Sequence, residues 1–174
     1  WSWLRLDKRQ FNIAESAEIY HIKQRQKWQK YKAVEAGSKT MDKDIPKLLA
    51  SRYAQFVDNR EFDRMREIMA PEFTQQGPGF GSESLDAFIA NLSVLDNYSA
   101  TFHLVANQVG QWHNDIYNGE TWGVASHLYE QDGIPRKLDM GIRYQDVIEN
   151  IGGNFRYTSR DLNVVWTQDL PLQG

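Results

Sequence analysis

Cysteine is absent from the 174-residue chain, which excludes disulfides, thiolate nucleophiles and zinc–thiolate sites. No apolar run approaches the length of a membrane span, and no signal-peptide core is visible. A cytoplasmic location is the default expectation. Positive charge is not in excess. The 20 Lys and Arg against 23 Asp and Glu leave a net charge of -3, so no general attraction to nucleic acid or an anionic membrane is expected. The four histidines show no ligand-like local spacing, so no metal site is expected. The loop Gly77-Pro78-Gly79-Phe80-Gly81 lacks the spacing of a phosphate cradle, and Pro78 removes an amide donor. The serines have no His/Asp partner arrangement, which leaves serine-hydrolase chemistry unsupported.

What the chain does carry is a 41% hydrophobic share and six tryptophans, enough for a single domain with a substantial core. Aromatic density fits a large core or subunit interface, and equally a pocket for a flat apolar ligand. Composition leaves both open. Residues 1–41 read as a mostly helical arm with a thin apolar stripe, ending near Ala36-Gly37-Ser38. Residues 42–174 read as the compact domain.

Ile45, Leu49, Tyr53 and Phe56 form a stripe that predicts a helix over residues 45–58, with Asn59 as its stop. Phe62, Met65, Ile68 and Met69 predict a second helix ended by Ala70-Pro71, and residues 72–76 a short strand. Ser84 is placed to cap a third helix carrying Leu85, Phe88, Ile89 and Leu92. The remainder is rich in β-formers and punctuated by Asn118-Gly119, Asp132-Gly133 and Gly152-Gly153. These signals predict four long strands, roughly 99–113, 120–131, 135–150 and 154–168, joined by hairpins. The fold class is α+β. The expected form is a curved antiparallel sheet of four long strands, with N-terminal helices packed on one face around a cone-shaped hollow.

Two residues stand where structure alone has little use for them. Asp58 closes the first helix, where the negative end of the helix dipole disfavours a carboxylate by a few tenths to about 1 kcal/mol. On an ideal wheel it falls away from the apolar stripe, which predicts exposure. His103 interrupts the β-favouring run Ser99-Ala100-Thr101-Phe102-His103-Leu104-Val105. Strand alternation puts it on one face with Thr101, Val105 and Asn107. An imidazole supported by a carboxylate is a general base near neutral pH. His127 alternates with Gly123, Ala125 and Tyr129, small neighbours that leave space beside it; it can face a ligand oxygen or a structural partner. Arg160 has two readings, neutralising an anionic leaving group or enolate, or pairing with Asp139, Asp146 or Asp161. Tyr53 either packs or brings its hydroxyl to a cavity rim.

The segment Phe56-Val57-Asp58-Asn59-Arg60-Glu61-Phe62, the Thr101-Phe102-His103 strand and the closing Tyr157-Thr158-Ser159-Arg160-Asp161 carry a resemblance. Over about residues 44–170 the chain resembles the SnoaL-like branch of the nuclear transport factor 2-like superfamily. That branch includes the scytalone dehydratase and hexachlorocyclohexane dehydrochlorinase families, along with cyclases, isomerases and hydrolases. The resemblance implies that His103 removes a proton while Asp58 orients the ring. It implies that Arg160 is an active-site arginine and that Tyr53 faces the cavity. Val57 and Gly77 stand where scytalone dehydratase carries pocket tyrosines. The expectation is a cofactor-independent lyase or isomerase acting on a small apolar or aromatic ring-containing substrate. Its catalytic residues are Asp58 and His103, with Tyr53, Asn107, His127 and Arg160 at the substrate. A ligand-binding or oligomerisation module of the same fold is the alternative. A homo-oligomer, dimer or trimer, is also expected, because Phe102, Leu104, Trp122, Val124 and Leu128 would form an apolar outer face needing cover.

Overall fold

Pro46 stands in the first turn of helix α1, Ile45–Asp58, where its missing N–H has no intrahelical partner to lose. The buried residues Pro46, Leu49, Ala50, Tyr53, Ala54 and Val57 recur at three- and four-residue spacing, so one face of α1 is apolar. In this computed structural model, which describes residues 44–172, the helix ends in a Schellman turn. Arg60 N–H donates to the Val57 carbonyl and Glu61 N–H to the Phe56 carbonyl. Arg60 itself takes the left-handed conformation, with φ 61°, at the position where glycine is usual. The expected stop at Asn59 is the cap just before it. The arm expected over residues 1–41 lies outside the described residues.

A 3-10 turn, Phe62–Arg64, leads into the short helix α2, Met65–Ile68. The sequence stripe runs one residue too far here. Met69 is already extended and opens strand β1, Met69–Gly77; Pro71 in turn restricts Ala70, the residue before it, to extended backbone. Strand β2, Phe80–Ser82, folds back on β1. Helix α3, Leu85–Asn91, follows, and Ser84 accepts from the Ala87 N–H as a capping residue should. A second 3-10 segment, Leu92–Asn97, delivers the chain to β3, Ala100–His113. Strands β4 (Ile116–Gln131), β5 (Ile134–Ile151) and β6 (Asn154–Pro171) complete the sheet.

The four long strands therefore sit within a larger sheet than the sequence indicates. Six strands run in the order β2-β1-β6-β5-β4-β3. β3 to β6 form the antiparallel meander, but β1 pairs with β6 in parallel, which makes the curved, unclosed sheet mixed. Two of the three turn signals fall in hairpins, at Asp132-Gly133 and Gly152-Gly153, all with positive φ. Asn118-Gly119 does not. It lies inside β4, and the hairpin turns at Asn114 (φ 56°) and Asp115 instead. Gly119 answers a packing constraint: a Cβ on it, or on its cross-strand partner Gly110, would stand 2.3 Å from Tyr117.

The inner sheet face and the helices share one core. Tyr53, Phe56 and Val57 of α1 cluster with Phe73, Phe88, Tyr117, Ile148 and Tyr157. A smaller cluster of Ala125, Ile142 and Tyr144 lies further along the sheet. Among the described residues no helix is long and apolar enough to cross a membrane.

Candidate functional site

Asp58 is the last helical residue of α1, and β3 runs past that helix end. Thr101 and His103, alternating on one strand face, close over the carboxylate, whose side chain is 22% exposed. The helical wheel misplaces Asp58 because it takes no account of the neighbour at the helix end. Thr101 Oγ1 donates to Asp58 Oδ1 at 2.9 Å, and His103 N–H donates to Oδ2 at 2.8 Å. The His103 ring nitrogen Nδ1 lies 2.7 Å from Oδ1. Burial raises the Asp58 pKa, but hydrogen bonds from the His103 ring and backbone and from Thr101 outweigh it. The net effect holds the carboxyl below its ordinary 3.8. An ionised carboxylate only accepts, so Nδ1 carries a proton, and in the neutral ring Nε2 then holds the lone pair.

Arg60 is a residue that the sequence reading passes over. From its left-handed position it donates through Nη1 to the Val57 carbonyl and, at 2.7 Å, to Thr101 Oγ1. Through Nη2 it reaches the carbonyls of Leu95 and Tyr98. Thr101 thus accepts from Arg60 and passes its own proton to Asp58. One guanidinium ties the end of α1, the second 3-10 segment and the start of β3 into one unit. A non-glycine residue immediately after a helix stop is the only signal for it in the sequence.

Arg160, on β6, pairs with Asp146 of β5 through Nε at 2.8 Å and Nη2 at 3.2 Å, both side chains 1% exposed. Asp146 is one of the three aspartates expected for the plain pairing. The guanidinium carbon lies 4.4 Å from the ring centres of Tyr53 and Tyr144 and 4.6 Å from that of Tyr157, and these faces attract a cation. Burial alone would lower the Arg160 pKa; the charge and hydrogen bonding of Asp146, together with Tyr157 and Tyr53, more than offset this and keep the group cationic. Thr121 also donates to Asp146, at 2.6 Å, and Gln108 donates to Thr121.

His127 lies on the same sheet face as His103, with ring centres 6.1 Å apart. Its other neighbours are the Tyr98 ring at 4.8 Å and, for Nδ1, the Leu138 carbonyl at 3.4 Å. Burial, then the nearby His103 and Arg60, depress its pKa to about 4. Asn107 is placed differently from expectation: it is exposed. A β-bulge between Val105 and Gln108 breaks the alternation, and Gln108 takes the inward position, donating to the Pro46 carbonyl and Thr121.

Tyr53, His103, Val105, Gly123, Tyr144 and Arg160 are among the residues lining a hollow. Gly123 keeps it open, since a Cβ there would sit 2.9 Å from the Leu104 carbonyl oxygen and 3.7 Å from the Tyr144 ring. The enclosed cavity is only about 10 Å³, room for about one water molecule, within a depression of about 260 Å³ that includes its open mouth. His127 and Asn107 are not among its lining residues. Among the described residues no group of three His, Asp or Glu could hold a metal ion.

The SnoaL-like domain family matches residues 44–161. The chain belongs to that family. Solved structures share the fold. A putative scytalone dehydratase from Novosphingobium aromaticivorans is 17% identical with a TM-score of 0.65, over 73% of this chain and 86% of that one. Hexachlorocyclohexane dehydrochlorinase LinA-type3 from Novosphingobium barchaimii is 15% identical, TM-score 0.63, over 72% and 86%. A nuclear transport factor 2-like superfamily protein from Salmonella enterica is 12% identical, TM-score 0.59, over 67% and 85%. No curated protein matches the chain by sequence.

Two predictions follow from the buried charges. Asp146→Ala leaves Arg160 charged and unpaired, so unfolding free energy falls by about 3–5 kcal/mol in urea titrations. The Asp146→Leu/Arg160→Met pair recovers most of that loss. The second concerns His127. Unfolded, its imidazole binds a proton near 6.5; folded, it stays neutral down to about 4. The unfolded state therefore binds more protons between these values, and stability falls as pH drops through this window, by on the order of 3 kcal/mol. The urea midpoint of His127→Asn will be less sensitive to pH over the same interval.

Proposed function

We propose that the chain is a cofactor-independent lyase or isomerase of the dehydratase or cyclase type. It takes a proton from a small, apolar, ring-containing substrate at a carbon beside a carbonyl or leaving group. The observation that carries the reading is the 2.7 Å contact between His103 Nδ1 and Asp58 Oδ1 beside the hollow. It fixes the tautomer and leaves Nε2 as the proton acceptor. Asp58, held by Thr101 and the His103 backbone, steadies the imidazolium that forms. A base so placed contributes on the order of 10²–10⁴ in rate. Polar groups around the hollow supply the rest by stabilising developing negative charge. Arg160 and Tyr53 line it and are the expected polarising groups; His127, one ring removed from His103, stays neutral beside it.

A second reading is a small-ligand-binding or oligomerisation module; the small cavity, about 10 Å³, favours its assembly half over turnover. A ring-containing guest needs more space, so substrate entry requires side chains at the mouth to move apart. The outer sheet face is also compatible with assembly as a dimer or trimer, since Phe102, Leu104 and Trp122 are 61%, 54% and 40% exposed. Val124 and Leu128 extend that face.

The test uses a panel of small cyclic ketones and ring halides in D₂O, with deuterium uptake and elimination followed by mass spectrometry. The wild-type chain turns over at least one class. His103→Ala and Asp58→Asn each lose on the order of 100-fold or more while still unfolding in a single cooperative thermal transition. Equal turnover in wild type and His103→Ala ends the enzyme reading, and binding without exchange supports the module.

A further inference from the structure

Tyr144 has no part in the mechanism drawn so far. It lies on β5 opposite Thr121 of β4, is buried, and lines the hollow beside His103. Its ring meets that of Tyr53 edge-on, with centres 6.1 Å apart, and Tyr53 in turn meets the His103 ring edge-on at 6.3 Å. A buried tyrosine hydroxyl normally finds a hydrogen-bond partner. Tyr157, the third ring around Arg160, does so by accepting from Arg160 Nη2. Among the described residues neither the Tyr53 nor the Tyr144 hydroxyl makes a hydrogen bond. Neither hydroxyl oxygen is sealed in the interior, so two tyrosine hydroxyls without a protein partner lie on buried rings that line the hollow together with His103.

We infer that Tyr144, paired with Tyr53, is a further catalytic residue: the two hydroxyls donate hydrogen bonds to the negative charge that develops on the substrate as His103 takes its proton. This rests on the proton-abstraction reading above. The surroundings keep both groups in the donor form. Burial raises their pKa values well above the ordinary 10, and the positive charge of Arg160 only partly counters that. Arg160 acts on both rings through their faces, 4.4 Å away in each case, and makes their O–H groups better donors. Its Nε and Nη2 remain committed to Asp146 and Tyr157. The hollow is then lined by a base and by a pair of neutral donors, the combination that enolate-type chemistry uses.

Nitroethane is a suitable probe, being small and generating an oxygen-centred anion. Its C–H bond beside the nitro group breaks, the proton passes to His103, and the electron pair moves onto the nitro oxygens. In D₂O a deuteron returns from the exchanged imidazolium, so the reaction reads as loss of the proton signal by NMR. The full chain is expected to exchange nitroethane faster than buffer, and His103→Ala to lose that acceleration. Tyr144→Phe should lower kcat on the order of 100-fold with KM within about twofold, as should Tyr53→Phe. Acetate, which presents two similar oxygens without an exchangeable step, should bind about tenfold more weakly to Tyr144→Phe. A purely structural Tyr144 would lower the melting temperature and leave kcat and acetate affinity at wild-type values; that result overturns the inference. Full exchange by Tyr144→Phe with none by His103→Ala would sink the donor role and spare the base. Absence of exchange in every protein would count against the base, and acetate affinity would still decide the tyrosine pair.

Discussion

The carboxylate of Asp58 is held at the end of a helix whose dipole opposes it, and the site depends on what overcomes that opposition. Three donors from two residues of β3 converge on its two oxygens. A hydrogen bond to a charged group contributes about 1.5–3 kcal/mol, against at most about 1 kcal/mol for the unfavourable dipole. The hydrogen bonds win, and in doing so they fasten α1 to β3. The same contacts that stabilise the carboxylate orient the His103 ring, so docking of the helix and placement of the imidazole are a single event.

Arg60 extends that logic. Its strained, left-handed backbone turns the chain after α1, and its guanidinium holds Thr101 in the orientation that lets the hydroxyl donate to Asp58. A second charge system, Arg160 with Asp146, is buried among three tyrosine rings. Burying such a pair adds little net stability compared with apolar packing, although removing one partner is costly. What the pair does is hold a fixed positive charge against the aromatic walls of the hollow.

Much of this was legible in the sequence, but unevenly. The stripe of Leu49, Tyr53 and Phe56 located α1, and Ser84 located the third helix, because periodicity and capping are local properties. Asp132-Gly133 and Gly152-Gly153 marked hairpins for the same reason. Asn118-Gly119 misled because a glycine needed under a tyrosine ring looks the same as a glycine needed for a turn. The parallel pairing of β1 with β6 joins segments far apart in the chain and leaves no local trace. The Asp58 and His103 side chains could be brought together only by family resemblance, since the helical wheel alone put Asp58 in solvent. Asn107 was read as sharing the face of His103; one extra residue in β3 gave that place to Gln108. Tyr144 was hidden among many β-forming aromatics, and only its hydroxyl without a partner distinguishes it.

The central claim is that Asp58 fixes the His103 ring with a proton on Nδ1, so that in the neutral ring Nε2 holds the lone pair. Nitrogen-15 NMR of the histidine rings at neutral pH measures that most directly. The account predicts that the His103 proton resides on Nδ1 and moves off that position in Asp58→Asn. A His103 ring protonated at Nε2 in the wild-type protein would contradict it.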